Sequence, residues 1–291
     1  MPSILAIGVM SGTSMDAVDV AALETDGEDV VRFGPARAYP MPPALRADLL
    51  ALIADAARAE HGDLADIEAA VTDAHCAAVE RFIAETGARP ALVGLHGQTV
   101  FHAPQRRFTR QLMDGPAAAA RLGVDVVCRF RHADVAAGGQ GAPLVPLYHR
   151  ALAHGLAQPL MLLNLGGVAN VTYIDGETVI AFDTGPASAL LDDFMTARRG
   201  LPFDADGALA ASGAADAAIL AAMLDHPYFA APPPKSLDRN AFHALAGAVG
   251  PLDDADGAAT LAAFTVESVA RALDHAPRPP LRWLVTGGGR L

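Results

Sequence analysis

Residues 4–23 read ILAIGVMSGTSMDAVDVAAL, and this stretch decides the fold. An apolar run over 4–10 meets the polar turn SGTSMD, and a second apolar run over 18–23 follows, which predicts strand, tight turn, strand. The pattern returns about 150 residues later at 160–176, LMLLNLGGVANVTYIDG, where runs over 160–165 and 168–174 flank Gly166-Gly167 and close on the Asp175-Gly176 turn. A glycine-bearing hairpin that occurs twice is a coarse internal duplication, and it predicts two lobes.

Between the hairpins, alanine-rich helical patterns occupy 42–59 and 63–85; prolines open the first and Thr86-Gly87 stops the second. A buried strand over 91–95 runs into HGQTVFH, and a helix over 115–122 precedes a strand over 124–127. The second half adds a strand over 178–182, the turn DTGP, helices over 187–198, 208–224 and 255–272, and a strand over 281–286 that runs into Gly287-Gly288-Gly289. Three consecutive prolines keep 228–240 out of regular structure. Strands alternating with helices predict an α/β fold. The stretch AAGGQGAPLVP over 136–146 reads as a lobe junction or as an ordinary surface loop. As a junction it gives an N-terminal lobe over 1–135 and a second lobe over 136–291. A strand ending in three glycines normally leads into another element, so the second lobe is expected to continue past Leu291.

The chain has 291 residues, of which 52% are hydrophobic and 19% charged, with a formal net charge of -12. That composition supports a folded core under an acidic surface and disfavours both disorder and nucleic-acid backbone binding. Mean hydropathy is +0.27, mostly from dispersed alanine. The best apolar span, PLMLLNLGGVANV over 159–171, is broken by Asn164, Gly166 and Gly167, so no transmembrane helix is predicted. The N-terminus lacks the basic flank of a signal peptide. Cys76 and Cys128 are too few for a disulfide framework and wrongly spaced for zinc, which fits a reducing compartment and predicts the cytoplasm. Of the 21 basic residues only Lys235 is lysine, and it follows prolines rather than a glycine loop, which excludes a P-loop.

Several motifs carry chemistry. SGTSMDAVD offers backbone amides and hydroxyls for phosphate and carboxylates, such as Asp16, for hydrated magnesium; it is equally a decorated hairpin turn. NLGGVANVT repeats this with Asn164, Gly166, Gly167 and Asn170, and TGGG lets backbone approach a ligand, although a turn glycine with positive φ explains each alone. AFDTGPAS places Asp183 between a strand and a helix, where it acts as a base or caps the helix. GLHGQTVFH brings His96, Gln98, Thr99 and His102 past a strand end, suited to a polyhydroxylated ligand or to ordinary buried hydrogen bonding. RFRHAD adds Arg129, Arg131 and Asp134, with Arg131 fitted to a carboxylate or phosphate or to a structural ion pair. PPPKSLDRNAF is a rigid loop over a site or a linker.

Together GVMSGTSMDAVDVAALE, LHGQTVFHAP, RFRHADVAAGGQGAPLVP, LLNLGGVANVTYI, FDTGP, PPPKSLDRNAF and VTGGG resemble, in order, the signature segments of the anhydro-N-acetylmuramic acid kinases. The resemblance implies two ribonuclease-H-like lobes of the sugar kinase and actin superfamily, with ATP and Mg2+ in the cleft, and a homodimer. It implies hydrolysis of the 1,6-anhydro ring and phosphorylation of O6, giving N-acetylmuramic acid 6-phosphate in cell-wall recycling. Asp183 would be the general base. Gly12, Thr13, Ser14, Met15, Asp16, Ala17, Val18 and Asp19 would form the first phosphate loop, with Asp16 on the metal. Asn164, Gly166, Gly167 and Asn170 would form the second, and Gly287, Gly288 and Gly289 would lie against the nucleotide. His96, Gln98, Thr99, Arg131 and Asp134 would line the sugar side, with Arg131 near the lactyl carboxylate or the transferring phosphoryl group. Two departures stand out: Ala17 replaces the family's glycine and restricts positive φ in the first loop, and Ala187-Ser188 replace Gly-Asn after DTGP. The alternatives are a truncated nucleotide- or sugar-binding protein that lacks turnover, and a related actin-fold kinase with another small acceptor.

Overall fold

Alternation of buried and exposed positions builds the first hairpin. Ile7, Val9 and Ser11 of β1 (Ile4–Ser11) and Val18, Val20 and Ala22 of β2 (Ala17–Thr25) point inward, and the strands pair antiparallel from Ile4 with Thr25 to Ser11 with Val18. The computed structural model describes residues 2–12, 15–237 and 242–290, and it divides into two units between Leu144 and Val145.

In the first unit β3 (Val30–Pro40) is followed by α1 (Pro43–Ala54), α2 (Ala56–His61), α3 (Ala65–Thr86), β4 (Leu92–Leu95), β5 (Gln98–Ala103), β6 (Phe108–Leu112), α4 (Gly115–Leu122), β7 (Asp125–Cys128) and α5 (His132–Ala137). The sheet order is β3-β2-β1-β4-β7, with β1–β2 and β2–β3 antiparallel and β1–β4 and β4–β7 parallel, which is the ribonuclease-H-like arrangement. Leu49 and Leu52 of α1 and Val71, Cys76, Val79 and Phe82 of α3 close its core. The helical pattern over 42–59 is two helices, because Asp55 accepts from the Arg58 amide and starts α2 afresh. Strand β3 escapes a reading by periodicity: it is an edge strand, mostly exposed, and carries Gly34 and Pro35.

The second unit runs α6 (Pro146–Leu152), β8 (Leu160–Leu165), β9 (Val168–Asp175), β10 (Thr178–Pro186), α7 (Ser188–Arg199), α8 (Ala208–Ser212), α9 (Ala217–Leu224), α10 (His243–Ala246), α11 (Asp254–Ala270) and β11 (Arg282–Thr286). Its sheet order is β10-β9-β8-β11, with β11 parallel to β8 and the other pairs antiparallel. Position by position this repeats β3-β2-β1-β4, so the duplicated hairpin is the visible part of a duplicated sheet. The pattern over 208–224 breaks into α8 and α9, since a Cβ at Gly213 would collide with the Ala255 carbonyl of α11. Behind the sheet, Phe229, Phe242 and Phe264 pack with ring centroids 5.7–6.0 Å apart. No single helix among the described residues is long and apolar enough to cross a membrane; α8 and α9 pass together only as a pair bent by 117°.

Candidate active site

The second unit gathers three motifs into one line. Asn164 of β8 pairs with Asn170 of β9, Asn170 pairs with Asp183 of β10, and Thr286 of β11 pairs with Asn164. Directly opposed residues share a face of a sheet, so Thr286, Asn164, Asn170 and Asp183 form a polar row at one end of it. A register shift between Asp183 and Gly185 bends β10 beside this row; such bulges re-aim side chains.

Asp183 is not a helix cap. Helix α7 begins at Ser188 with Ala187 as its N-cap and no side-chain cap, five residues past Asp183. The Asp183 carboxylate instead accepts from the Leu237 amide at 2.7 Å, its own amide donates to the Lys235 carbonyl at 3.0 Å, and the Tyr228 hydroxyl donates to its carbonyl at 2.6 Å. Burial pushes the Asp183 carboxyl up from 3.8 to about 6, partly offset by the Leu237 hydrogen bond. Burial, together with the Asp183 charge, drives the Tyr228 hydroxyl well above its ordinary value, so it stays a donor.

The loop Gly166-Gly167 is fastened to α7. Its carbonyls accept from the amides of Ala187, Ser188 and Ala189, so the first amides of that helix hold the loop in place. Neither glycine has positive φ, and a Cβ at Gly167 would meet Ala189 Cβ at 3.4 Å, an ordinary contact. Gly287 does have positive φ, +91°, and a Cβ there would strike the Leu165 carbonyl and lie 2.8 Å from Asn164 Oδ1. The terminal glycine turn therefore rests on the end of β8, and Gly288 and Gly289 follow beside it. The NLGG and TGGG motifs, distant in sequence, make one backbone surface.

In the first unit the turn after β1 is more structural than the motif suggests. Met15 is 2% exposed and Val18 1%, both in the core, so their side chains face no ligand. Met15 takes the left-handed conformation with φ 51°, whereas Ala17 is extended and pairs with Pro40, so the methyl at Ala17 strains nothing. Gly12 accepts from the Met15 amide at 3.2 Å. Thr13 and Ser14 lie outside the described residues, as do residues 238–241 of the PPPKSLDRNAF stretch. Asp19 has its carboxyl raised by burial and by the charge of Asp16, which places two carboxylates within electrostatic reach at the base of the hairpin.

Gln98 is 2% exposed and serves the fold: Ser11 donates to its Oε1 at 2.7 Å, while Ser11 Oγ lies 3.3 Å from His75 Nε2. Burial lowers His75 to about 4, so the ring is neutral, its Nδ1–H donating to the Val71 carbonyl at 2.8 Å. Asp134 likewise accepts from the Gly141 amide at 2.7 Å and shapes the turn before Gly141.

His96 and Arg131 do meet. His96 Nδ1–H donates to the Gly97 carbonyl, and Nε2 accepts from Arg131 at 2.7 Å and from Gln111 at 3.0 Å. Burial and the Arg131 charge hold His96 below its usual range, in agreement with this neutral tautomer. Gly97 makes the turn possible with φ +68° where a Cβ would stand 2.5 Å from the Leu112 carbonyl oxygen. Among the described residues no carboxylate lies within ion-pair distance of Arg131, and its buried Nε has no hydrogen-bond partner; the same holds for Thr99 Oγ1, Gln111 Oε1 and His132 Nδ1. Thr99 and Gln111 pair across β5 and β6, and Gln111 shares His96 Nε2 with Arg131, so groups with unpaired atoms lie near a half-buried cation. Such a set suits an anionic, oxygen-rich ligand. Gln111 and His132 complete it, and only the tertiary arrangement reveals them.

Comparison with known proteins gives the family of the chain. An anhydro-N-acetylmuramic acid kinase of Rhodospirillum rubrum is 53% identical over 290 residues, covering 99% of this chain and 77% of that protein. Another from Bradyrhizobium diazoefficiens is 51% identical over 295 residues, covering 98% of this chain and 80% of its own length. A ROK family glucokinase from Streptomyces griseus, solved in complex with glucose and AMPPNP, matches at TM-score 0.40 and 16% identity over 98% of this chain and 83% of that one. The family itself matches residues 4–291, and the chain belongs to the anhydro-N-acetylmuramic acid kinases.

Proposed function

We propose that this chain couples hydrolysis of the 1,6-anhydro ring of anhydro-N-acetylmuramic acid to phosphorylation of O6 by ATP, with Asp183 as the general base. The observation that carries the reading is the Asp183 carboxyl, half-buried, aimed by one backbone amide and raised to about 6. A base works best with a pKa near the operating pH. Asp183 takes a proton from water as the water oxygen bonds to the anomeric carbon; the bond from that carbon to O6 breaks, and O6 takes the γ-phosphoryl group. The products are N-acetylmuramic acid 6-phosphate and ADP, and Asp183 returns its proton to solvent. In the second unit the loop surfaces at Gly166-Gly167 and at Gly287 to Gly289 offer backbone to a nucleotide; in the first unit, taken by itself, the turn at Gly12 suits phosphate and Arg131 suits the lactyl carboxylate. Positioning and charge stabilisation supply most of the acceleration in such transfers.

Among the described residues no group of three or more His, Cys, Asp or Glu is placed to hold a metal by itself. Hydrated magnesium takes one or two carboxylates and fills its shell with water and phosphate oxygens, and Asp16 with Asp19 fits that requirement. Bound there, the ion would neutralise charge on the phosphate chain. Free Cys76 and Cys128 support a cytoplasmic setting.

The test is ADP release by the 291-residue protein with ATP, magnesium and anhydro-N-acetylmuramic acid, against the same mixture without sugar. Sugar-dependent release is expected; its absence from protein with a cooperative unfolding transition would remove the reading. Family resemblance also carries a homodimer, for which sedimentation should give twice the 30.0 kDa chain mass and not the single mass.

A further inference from the structure

Lys235 is the one lysine in a chain that otherwise uses arginine for its cations. Among the described residues its ammonium makes no ion pair with a carboxylate. Nζ stands 4.9 Å from the centroid of the Tyr228 ring and 5.5 Å from that of Phe182, and it donates to the Tyr228 carbonyl at 3.2 Å. Both ring distances fall within the range where a cation is attracted to an aromatic face.

The rings are themselves fixed. Tyr228 meets Phe229 and Phe242 edge-on at 5.7 and 5.8 Å, within the aromatic cluster that also contains Phe264, and Phe182 is 2% exposed in the sheet core with His275 edge-on at 5.1 Å. Around this clamp the hydrogen bonds close into a ring: Lys235 Nζ to the Tyr228 carbonyl, Tyr228 hydroxyl to the Asp183 carbonyl, and Asp183 amide to the Lys235 carbonyl. Two residues beyond Lys235, the Leu237 amide donates to Asp183 Oδ2. The segment that aims the carboxylate is thus irregular chain following three prolines, and within it the ammonium is the group tied to both aromatic walls.

We propose that Lys235 is a positioning residue: its ammonium, held between Tyr228 and Phe182, fixes the segment whose Leu237 amide orients the Asp183 carboxylate. A compact ammonium with three donors can serve two ring faces and one carbonyl at once. Partial burial lowers the Lys235 ammonium from its ordinary value, in keeping with a desolvated cation. This inference rests on the reading of Asp183 as the base.

The experiment compares wild type, Lys235→Met and Lys235→Arg in sugar-dependent ADP release. Misplacing a base costs rate more than binding, so Lys235→Met should lower kcat on the order of 10–100-fold with KM for ATP and for sugar within about twofold. Lys235→Arg, which also stacks on rings and donates, should return kcat to within about fivefold of wild type. A wild-type kcat for Lys235→Met, or a loss shared equally by KM, would overturn the proposal. A second readout needs no turnover: reductive methylation with carbon-13 formaldehyde labels only Lys235 and the α-amine. The Lys235 methyl resonance should be shifted upfield by the rings and move toward the free dimethyl-lysine position in Tyr228→Leu; an unshifted resonance in the wild type would sink the clamp. If the wild type itself shows no sugar-dependent turnover, the functional reading fails while the resonance still tests the clamp.

Discussion

Asp183→Asn should lower sugar-dependent ADP release on the order of 10²–10⁴-fold, the usual contribution of a general base, while ATP binding persists. The amide keeps the shape and still accepts from the Leu237 amide, which now donates to Asp183 Oδ2 at 2.7 Å. What it loses is basicity. In the wild type, kcat/KM should fall as the pH drops through about 6, because the carboxyl must be ionised to take a proton. Stability should move the other way. A carboxyl raised from 3.8 to about 6 binds its proton more tightly in the folded state, so its stabilising contribution is complete below about pH 4 and is lost as the pH rises through 6. Above that range the buried charge costs on the order of 2–3 kcal/mol, which Asp183→Asn relieves. Denaturation at pH 7.5 should therefore show a more stable variant, and the gap should close near pH 4. A variant that loses ATP affinity as much as rate would remove Asp183 from the base role.

Arg131→Met should raise KM for the sugar on the order of 10–100-fold, the worth of a charge-assisted hydrogen bond, with KM for ATP within about twofold. The methionine keeps much of the stem but not the guanidinium that donates to His96 Nε2 at 2.7 Å and leaves its buried Nε unpaired. Burial lowers the Arg131 pKa without threatening its charge at neutral pH, so the cation is present to be matched. Full steady-state kinetics with both substrates varied give the answer. A rise in KM for ATP, or a loss confined to kcat, would move Arg131 from the lactyl carboxylate to the phosphoryl group.

Local signals carried much of the fold. The two hairpins, α3 with its left-handed Gly87 stop and α4 with its Gly123 stop follow patterns complete within a few residues. Strand β6 and edge strand β3 do not, because partners far along the chain stabilise them rather than their own periodicity. The helix breaks at Asp55 and Gly213 depend on a cap and on the approach of α11, of which only the first is written locally. At the site, the motifs containing Asn164, Asn170 and Asp183 were legible one by one, but their alignment is a matter of register. Gln98, Asp134, Met15 and Val18 belong to these motifs, and the fold uses their side chains on Ser11, on Gly141 and in the core. A motif marks a neighbourhood without saying which of its side chains point inward. Tyr228 went unread because nothing local links it to Asp183, 45 residues away.

The shift in β10 between Asp183 and Gly185 also governs how this hairpin can change length over evolution. A residue gained or lost within β10 ahead of Asp183 would turn that carboxylate to the opposite side of the sheet, since side chains alternate. Beyond the shift, Gly185 lies so close to α11 that a Cβ would stand 2.7 Å from Ser268 Oγ, and a displaced side chain would have to enter that gap. The turn around Gly176 has no such constraint, with nothing within 4 Å of a Cβ placed there. Insertions and deletions in this hairpin should therefore collect at residues 175–177, and an alignment that opens a gap between 178 and 185 has misplaced it.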